Sequence, residues 1–134
     1  MLTTYFKNLI ADNVWHTQGD NASDIPAQYY LALSTTAPRE DGTGVTEPTA
    51  TPYERKAMPA MEVAQDGTTT NAVNLVWPRF ETTQSDPVTF WALYDAKTNG
   101  NLLMGGPLDA AKHLDVGTSL LFEAGSLTFN VLGG

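Results

Sequence analysis

"FWALYDAKTNGNLLMGGPL" fills residues 90–108, and its reading decides the fold. Two apolar runs flank a polar stretch that opens on Asp95 and contains Asn99-Gly100, so the stretch is either a ligand loop or the turn between two strands. Val88, Phe90, Ala92 and Tyr94 recur at every second position, the period of a strand, and Asn-Gly favours the positive φ angles of a tight connection. Residues 102–104 then return as the partner strand. The polar stretch has a superficial likeness to a calcium loop, which needs oxygen ligands at its first, third, fifth and twelfth positions. Its third position is Lys97 and its twelfth is Gly106, so a cation opposes the metal and no bidentate carboxylate closes the site. The hairpin reading is the better one.

The same alternation marks the rest of the sequence. Residues 28–34 read as a central strand with Tyr29, Leu31 and Leu33 on one parity. Weaker strands are predicted at 53–61 and 72–77, around the turn Gln65-Asp66-Gly67, with Pro59 and Pro78 keeping them to edges or strand ends. The tail is predicted to form a second hairpin, residues 119–122 against 127–131 across Glu123-Ala124-Gly125, with Val131 on the inward parity. Leu31, Leu33, Phe90, Ala92, Tyr94, Leu120, Phe122, Leu127 and Phe129 are the predicted core. Ahead of the strands, Thr3-Thr4 offers an N-cap, and Phe6, Leu9, Ile10 and Val14 fall on one helical face. The polar string at 19–24, with Pro26 beyond it, ends that helix. Residues 35–52, "TTAPREDGTGVTEPTATP", hold three prolines, two glycines and six threonines, so little can be buried and a long surface loop is expected. The fold class is all-β: a jelly-roll-like antiparallel β-sandwich forming one domain over residues 1–134, with a helix within 1–18 and the loop at 35–52.

Composition limits function. The 134 residues suit one domain with a real core, since 42% are hydrophobic and only 16% charged. Seven basic against fifteen acidic side chains give a net charge of −8, a field that repels nucleic-acid phosphates and anionic lipid. Neither nucleic acid nor membrane is an expected partner, and no stretch reaches the roughly 20 apolar residues of a membrane helix. Cysteine is absent, which removes disulfides, thiolate metal sites and cysteine nucleophiles together. His16 and His113 are solitary, without metal-ligand spacing. No G-x-S-x-G elbow occurs, Glu40-Asp41 lie in the loop as solvated charges, and Gly42-Thr43-Gly44 lacks the lysine of a phosphate cradle. No catalytic residue, metal or cofactor is expected, and the protein reads as something other than an enzyme.

The order of motifs is more informative than any one residue. An N-terminal helix, "YYLALSTTAPREDGTGVTEP", "PYERKAM", "NAVNLVWPRF", the hairpin at 90–108 and "VGTSLLFEAGSLTFNVL" together resemble a family of small tailed-bacteriophage structural proteins, commonly labelled tail-fibre-like. The most specific part runs from Tyr94-Asp95-Ala96 to Gly100-Asn101-Leu102-Leu103. The resemblance implies a virion structural protein, an accessory tail or fibre-like component present in many copies and held by contacts with other virion proteins. A head decoration protein on the outer capsid is the alternative, and a carbohydrate-binding or enzymatic module is a third. Phe6, Leu9 and Ile10 on the helix and Arg39, Glu40 and Asp41 in the loop are the candidate subunit-interface residues.

Overall fold

The computed structural model describes residues 1–15, 25–58 and 61–130. The expectations placed on His16, the polar string at 19–24, Pro59 and Val131 lie outside these residues. The elements run α1 (Thr4–Trp15), β1 (Tyr29–Ser34), β2 (Lys56–Met58), β3 (Thr68–Thr70), β4 (Leu75–Trp77), β5 (Val88–Tyr94), β6 (Leu102–Lys112), β7 (Leu120–Phe122) and β8 (Thr128–Asn130). The fold is all-β and antiparallel with one short N-terminal helix.

Four strands form the main sheet in the order β2-β1-β5-β6. The β5-β6 hairpin that ends this order is the one read from residues 90–108, with Leu93 opposite Met104 and Tyr94 opposite Leu102. Asn99 and Gly100 have φ of 55° and 75°, as the tight connection requires. A Cβ on Gly100 would stand 2.5 Å from Asp95 Oδ1. Gly100→Ala is therefore expected to lower stability by about 1–2 kcal/mol, read as a shift in the urea midpoint at constant slope.

The returning strand runs on to Lys112, well past the residues 102–104 read from the sequence. It pairs irregularly: Val88 opposes Lys112 and Phe90 opposes Pro107, so two steps along β5 match five along β6. Beside this irregularity Val88 joins Trp91 and Leu93 in the main core, so the smooth parity of 88, 90, 92 and 94 does not hold there. Phe90 is only half-buried, contrary to expectation. Both faces of β1 and β5 are covered, with Leu31, Leu33, Trp91 and Leu93 in the main core and Ala32, Ala92, Tyr94 and Leu102 in a smaller cluster under Val45. Phe90→Ala should then cost about 1–2 kcal/mol in thermal or denaturant unfolding, below the roughly 3–5 of a fully enclosed phenylalanine.

The tail does not fold on itself as predicted. β7 pairs with β4 (Leu75 opposite Phe122) and β8 with β3 (Thr69 opposite Phe129), so one antiparallel ribbon runs through both ladders. The turn at Glu123-Ala124-Gly125 exists, with Ser126 N–H donating to the Glu123 carbonyl at 3.0 Å, but it interrupts a strand and does not reverse its direction. Asn71 explains why. Fully buried, it donates from Nδ2 to the carbonyls of Val73 and Glu123, each at 2.9 Å, and accepts the Leu127 N–H on Oδ1 at 3.0 Å. One amide thus supplies the ladder's missing bonds across the break. The turn at Asp66-Gly67 does close a tight hairpin, with φ of 53° and 76° and paired bonds between Gln65 and Thr68.

Ribbon and sheet meet in one apolar cluster. Trp91 stands edge-on to Phe129 at 4.9 Å and Trp77 to Phe122 at 5.8 Å, both favoured aromatic geometries. Among the described residues the ribbon is two strands wide, narrower than the four-stranded sheet it packs on.

Residues 1–3 add to the β6 edge. The Met1 amino group donates to the Gly105 carbonyl and the Gly105 N–H returns the bond to the Met1 carbonyl, both at 3.0 Å. Thr3 caps α1 by accepting the Phe6 N–H at 3.2 Å while its hydroxyl donates to the Leu102 carbonyl at 2.7 Å. Phe6 and Leu9 enter the main core and Ile10 packs against it. Val14, expected on the same face, is 63% exposed. Helical spacing marks a face, not how far along it a neighbour extends, and the covered part ends one turn short of Val14.

Candidate functional site

The loop that composition sends to the surface is closed rather than loose. Thr35 N–H donates to the Thr46 carbonyl at 3.0 Å, Thr46 N–H to Ser34 Oγ at 2.9 Å, and the Thr36 hydroxyl to the Gly44 carbonyl. At the tip, Arg39 N–H donates to the Thr43 carbonyl at 2.8 Å and Gly42 N–H to that of Arg39 at 3.0 Å. Asp41 Oδ1 accepts both the Thr43 N–H and its hydroxyl, and these bonds hold the Asp41 carboxyl below the usual carboxylate range.

The tip is docked on α1 and β6. Thr4 N–H, one of the helix's unpaired first donors, bonds to the Glu40 carbonyl at 2.8 Å, and the Glu40 carboxylate lies 3.6 Å from the Lys7 ammonium. Pro38 packs so closely on Gly105 that an added Cβ would come within 2.7 Å of its ring. The structure thus brings the predicted residues of helix and loop to one place. Arg39, Glu40 and Asp41 all stand exposed at the tip, whereas Phe6, Leu9 and most of Ile10 are enclosed by the protein's own core.

The later half of the loop holds the residues that sequence reasoning missed. Pro48 and Ala50 are buried, and Glu47 meets Arg55 through two parallel bonds of 3.1 Å, the bidentate geometry of a strong ion pair. Arg55, 8% exposed, lies 3.6 Å above the Tyr94 ring and donates from Nη1 to the carbonyls of Ala96 at 2.9 Å and Asn99 at 2.7 Å. Tyr53 completes the group, donating to Glu47 Oε1 at 2.7 Å and accepting the Leu33 N–H at 3.1 Å. Burial first, then its bond to Glu47, pushes the Tyr53 phenol well above its ordinary pKa. Glu54 and Lys97 line the shallow depression beside it, with Glu54 3.3 Å from Lys97 and 3.6 Å from Lys56. The Lys97 ammonium holds the Glu54 carboxyl below its usual range.

Glu47, Tyr53, Glu54, Arg55, Lys56 and Lys97 each have a protein partner, and the Arg55 guanidinium is pinned by a carboxylate and two carbonyls, an arrangement that holds the loop and the turn together. "PYERKAM" and "YDAKTNGN", separate motifs in the sequence, are one assembly here, because Arg55 from the first grips the turn of the second. Their only signal in the sequence is that shared occurrence. Asp95 serves the same turn, accepting the Asn101 N–H at 2.7 Å and its Nδ2–H at 3.0 Å. Among the described residues, no group of three or more His, Asp or Glu could hold a metal ion, and no helix is long and apolar enough to cross a membrane. His113 is exposed.

No curated protein matches this sequence. A family model described as "Podophage GP4 fiber I protein gp80" matches residues 1–130, which takes in every element above. The protein belongs to the family of the podophage GP4 fiber I protein gp80 and is a tail-fibre-like structural component of a phage virion.

Proposed function

We propose that the protein is an accessory tail or fibre-like subunit, one domain present in many copies, joined to other virion proteins by contacts at the loop tip and the exposed flank of α1. One observation carries the reading. Arg39, Glu40 and Asp41 are presented to solvent on a tip whose backbone is fixed by its own bonds and by Thr4. Charges already held in place lose little freedom when a partner engages them, which is the condition for an efficient contact. The net charge of −8 suits a position outside a DNA-filled lumen. Since Phe6 and Leu9 are enclosed, the part of the helix offered to a neighbour is the side bearing Lys7.

The test uses charge reversal, because removing residues 35–52 would also remove the Glu47 partner of Arg55. Arg39→Glu combined with Glu40→Lys leaves the tip's backbone bonds in place and should leave the unfolding midpoint within about 0.5 kcal/mol of the parent. Particles assembled with this variant are expected to carry markedly fewer copies, measured by quantitative mass spectrometry of purified virions. Normal occupancy would show that the tip is not the assembly element. Averaged images of parent particles decide position, since density across the capsid lattice would favour head decoration over the tail.

A further inference from the structure

We infer that Asn99 is a site of spontaneous deamidation, activated in the folded protein by Arg55. The reaction begins when the Gly100 backbone nitrogen loses its proton to hydroxide and attacks the Asn99 Cγ carbon, the carbonyl carbon of its amide. A new C–N bond closes a five-membered succinimide, and the bond from Cγ to the Asn99 Nδ2 breaks to release ammonia. Water then opens the ring at either carbonyl, giving aspartate or its β-linked isomer. The net change is amide plus water to carboxylate plus ammonium.

Four observations place the reaction here. Asn99-Gly100 is the sequence's one Asn-Gly pair, so no Cβ follows the asparagine to hinder attack. Asn99 is exposed, and its amide makes no hydrogen bond among the described residues. The Gly100 N–H also has no partner among them, so the nucleophile need not leave a ladder. The fourth is the activating one. The Asn99 backbone carbonyl that accepts Arg55 Nη1 at 2.7 Å belongs to the same peptide group as the Gly100 nitrogen. Removing the Gly100 proton puts negative charge on that oxygen, and a guanidinium already bonded to it stabilises the anion, as a fixed donor stabilises any oxyanion. The nearby Asp95 carboxylate is engaged by Asn101.

Either product puts a carboxylate beside the turn. The β-linked isomer also adds a carbon to its backbone, so the Ala96 and Asn99 carbonyls no longer meet Arg55 together and the grip on the turn loosens. A virion protein is not replaced after assembly, so a slow reaction accumulates with the age of the particle.

The experiment is to hold the purified protein in mildly alkaline buffer, native and unfolded in guanidinium, and follow each asparagine by peptide mapping. A gain of one mass unit marks conversion, and the β-linked isomer separates chromatographically. Asn99 should convert about tenfold faster in the native protein than in the unfolded one, the factor expected of one charge-assisted hydrogen bond. Asn101, whose amide is bonded to Asp95, should lag behind it. Arg55→Met, checked for folding by near-ultraviolet circular dichroism, should bring the rate down to that of the unfolded protein. If that variant does not fold, the native-to-unfolded ratio decides alone. A native rate at or below the unfolded rate, or a folded Arg55→Met variant reacting as fast as the parent, overturns the proposal.

Discussion

Asn71→Ala is expected to destabilise the fold by about 3–4 kcal/mol, lowering the melting temperature by roughly 10 °C. The substitution removes few atoms, so lost packing is the smaller part. It orphans the Leu127 N–H, a buried donor that nothing else reaches, at about 1–3 kcal/mol, and frees the Val73 and Glu123 carbonyls, which lie on exposed residues and recover part of their bonding from water. Asn71→Asp should be no remedy. It keeps the acceptor for Leu127 but turns a carboxylate toward two carbonyl oxygens, which raises that group's folded pKa above its unfolded value. Its penalty should therefore be full at neutral pH and shrink as pH falls through the raised pKa. If Asn71→Ala and Asn71→Asp both unfold with the parent, the amide is not what joins the two ladders.

Arg55→Met should cost about 3 kcal/mol, the low end of the range for removing one partner of a buried pair. The low end applies because the Glu47 side chain stays 30% exposed and keeps the Tyr53 hydroxyl, so its charge is not stranded in a dry interior. The methionine stem can still cover Tyr94, leaving the ion pair and the bonds to the Ala96 and Asn99 carbonyls as the loss. Adding Glu47→Gln to Arg55→Met should then cost little more, and the double variant should fall short of the sum of the two singles. Strict additivity in chemical denaturation would mean that the pair is not coupled.

The hairpin at 90–108 was legible because two independent signals agree there, the alternation of apolar residues and the φ demand of Asn99-Gly100. The tail shows the limit of the same method. Leu120, Phe122, Leu127 and Phe129 are buried as predicted, but period-two alternation identifies a strand without naming its partner. The pairing depends on Asn71, a polar residue some fifty positions away that no hydrophobic pattern marks. Phe90 was misplaced for a related reason. Both faces of β5 are covered, so parity could not say which was the larger core, and Val88 enters the main core beside a register shift that no alternation marks. Arg55 and Glu47 look in the sequence like ordinary charges beside a loop, and only the fold brings the Asn99 turn to them. The family was readable because motifs carry all these constraints at once. The charges at 39–41 were readable only as a surface loop, since nothing in the sequence foretells that Thr4 fixes its tip.

The edge pairing of residues 1–3 has a consequence for the order in which the protein can fold. These residues have their backbone partners at Leu102, Leu103 and Gly105, synthesised about a hundred positions later. A helix of about a dozen residues is marginal alone in water, so α1 gains lasting structure only when β6 has been made and has paired with β5. The ribbon adds the same delay, for Thr68 waits for Asn130. Contacts this distant must close long loops before they return any stability, which places the protein among slow folders of high contact order. On the ribosome the apolar side of the helix therefore stays uncovered until β6 emerges, and Phe6 and Leu9 are where a chaperone would first find it.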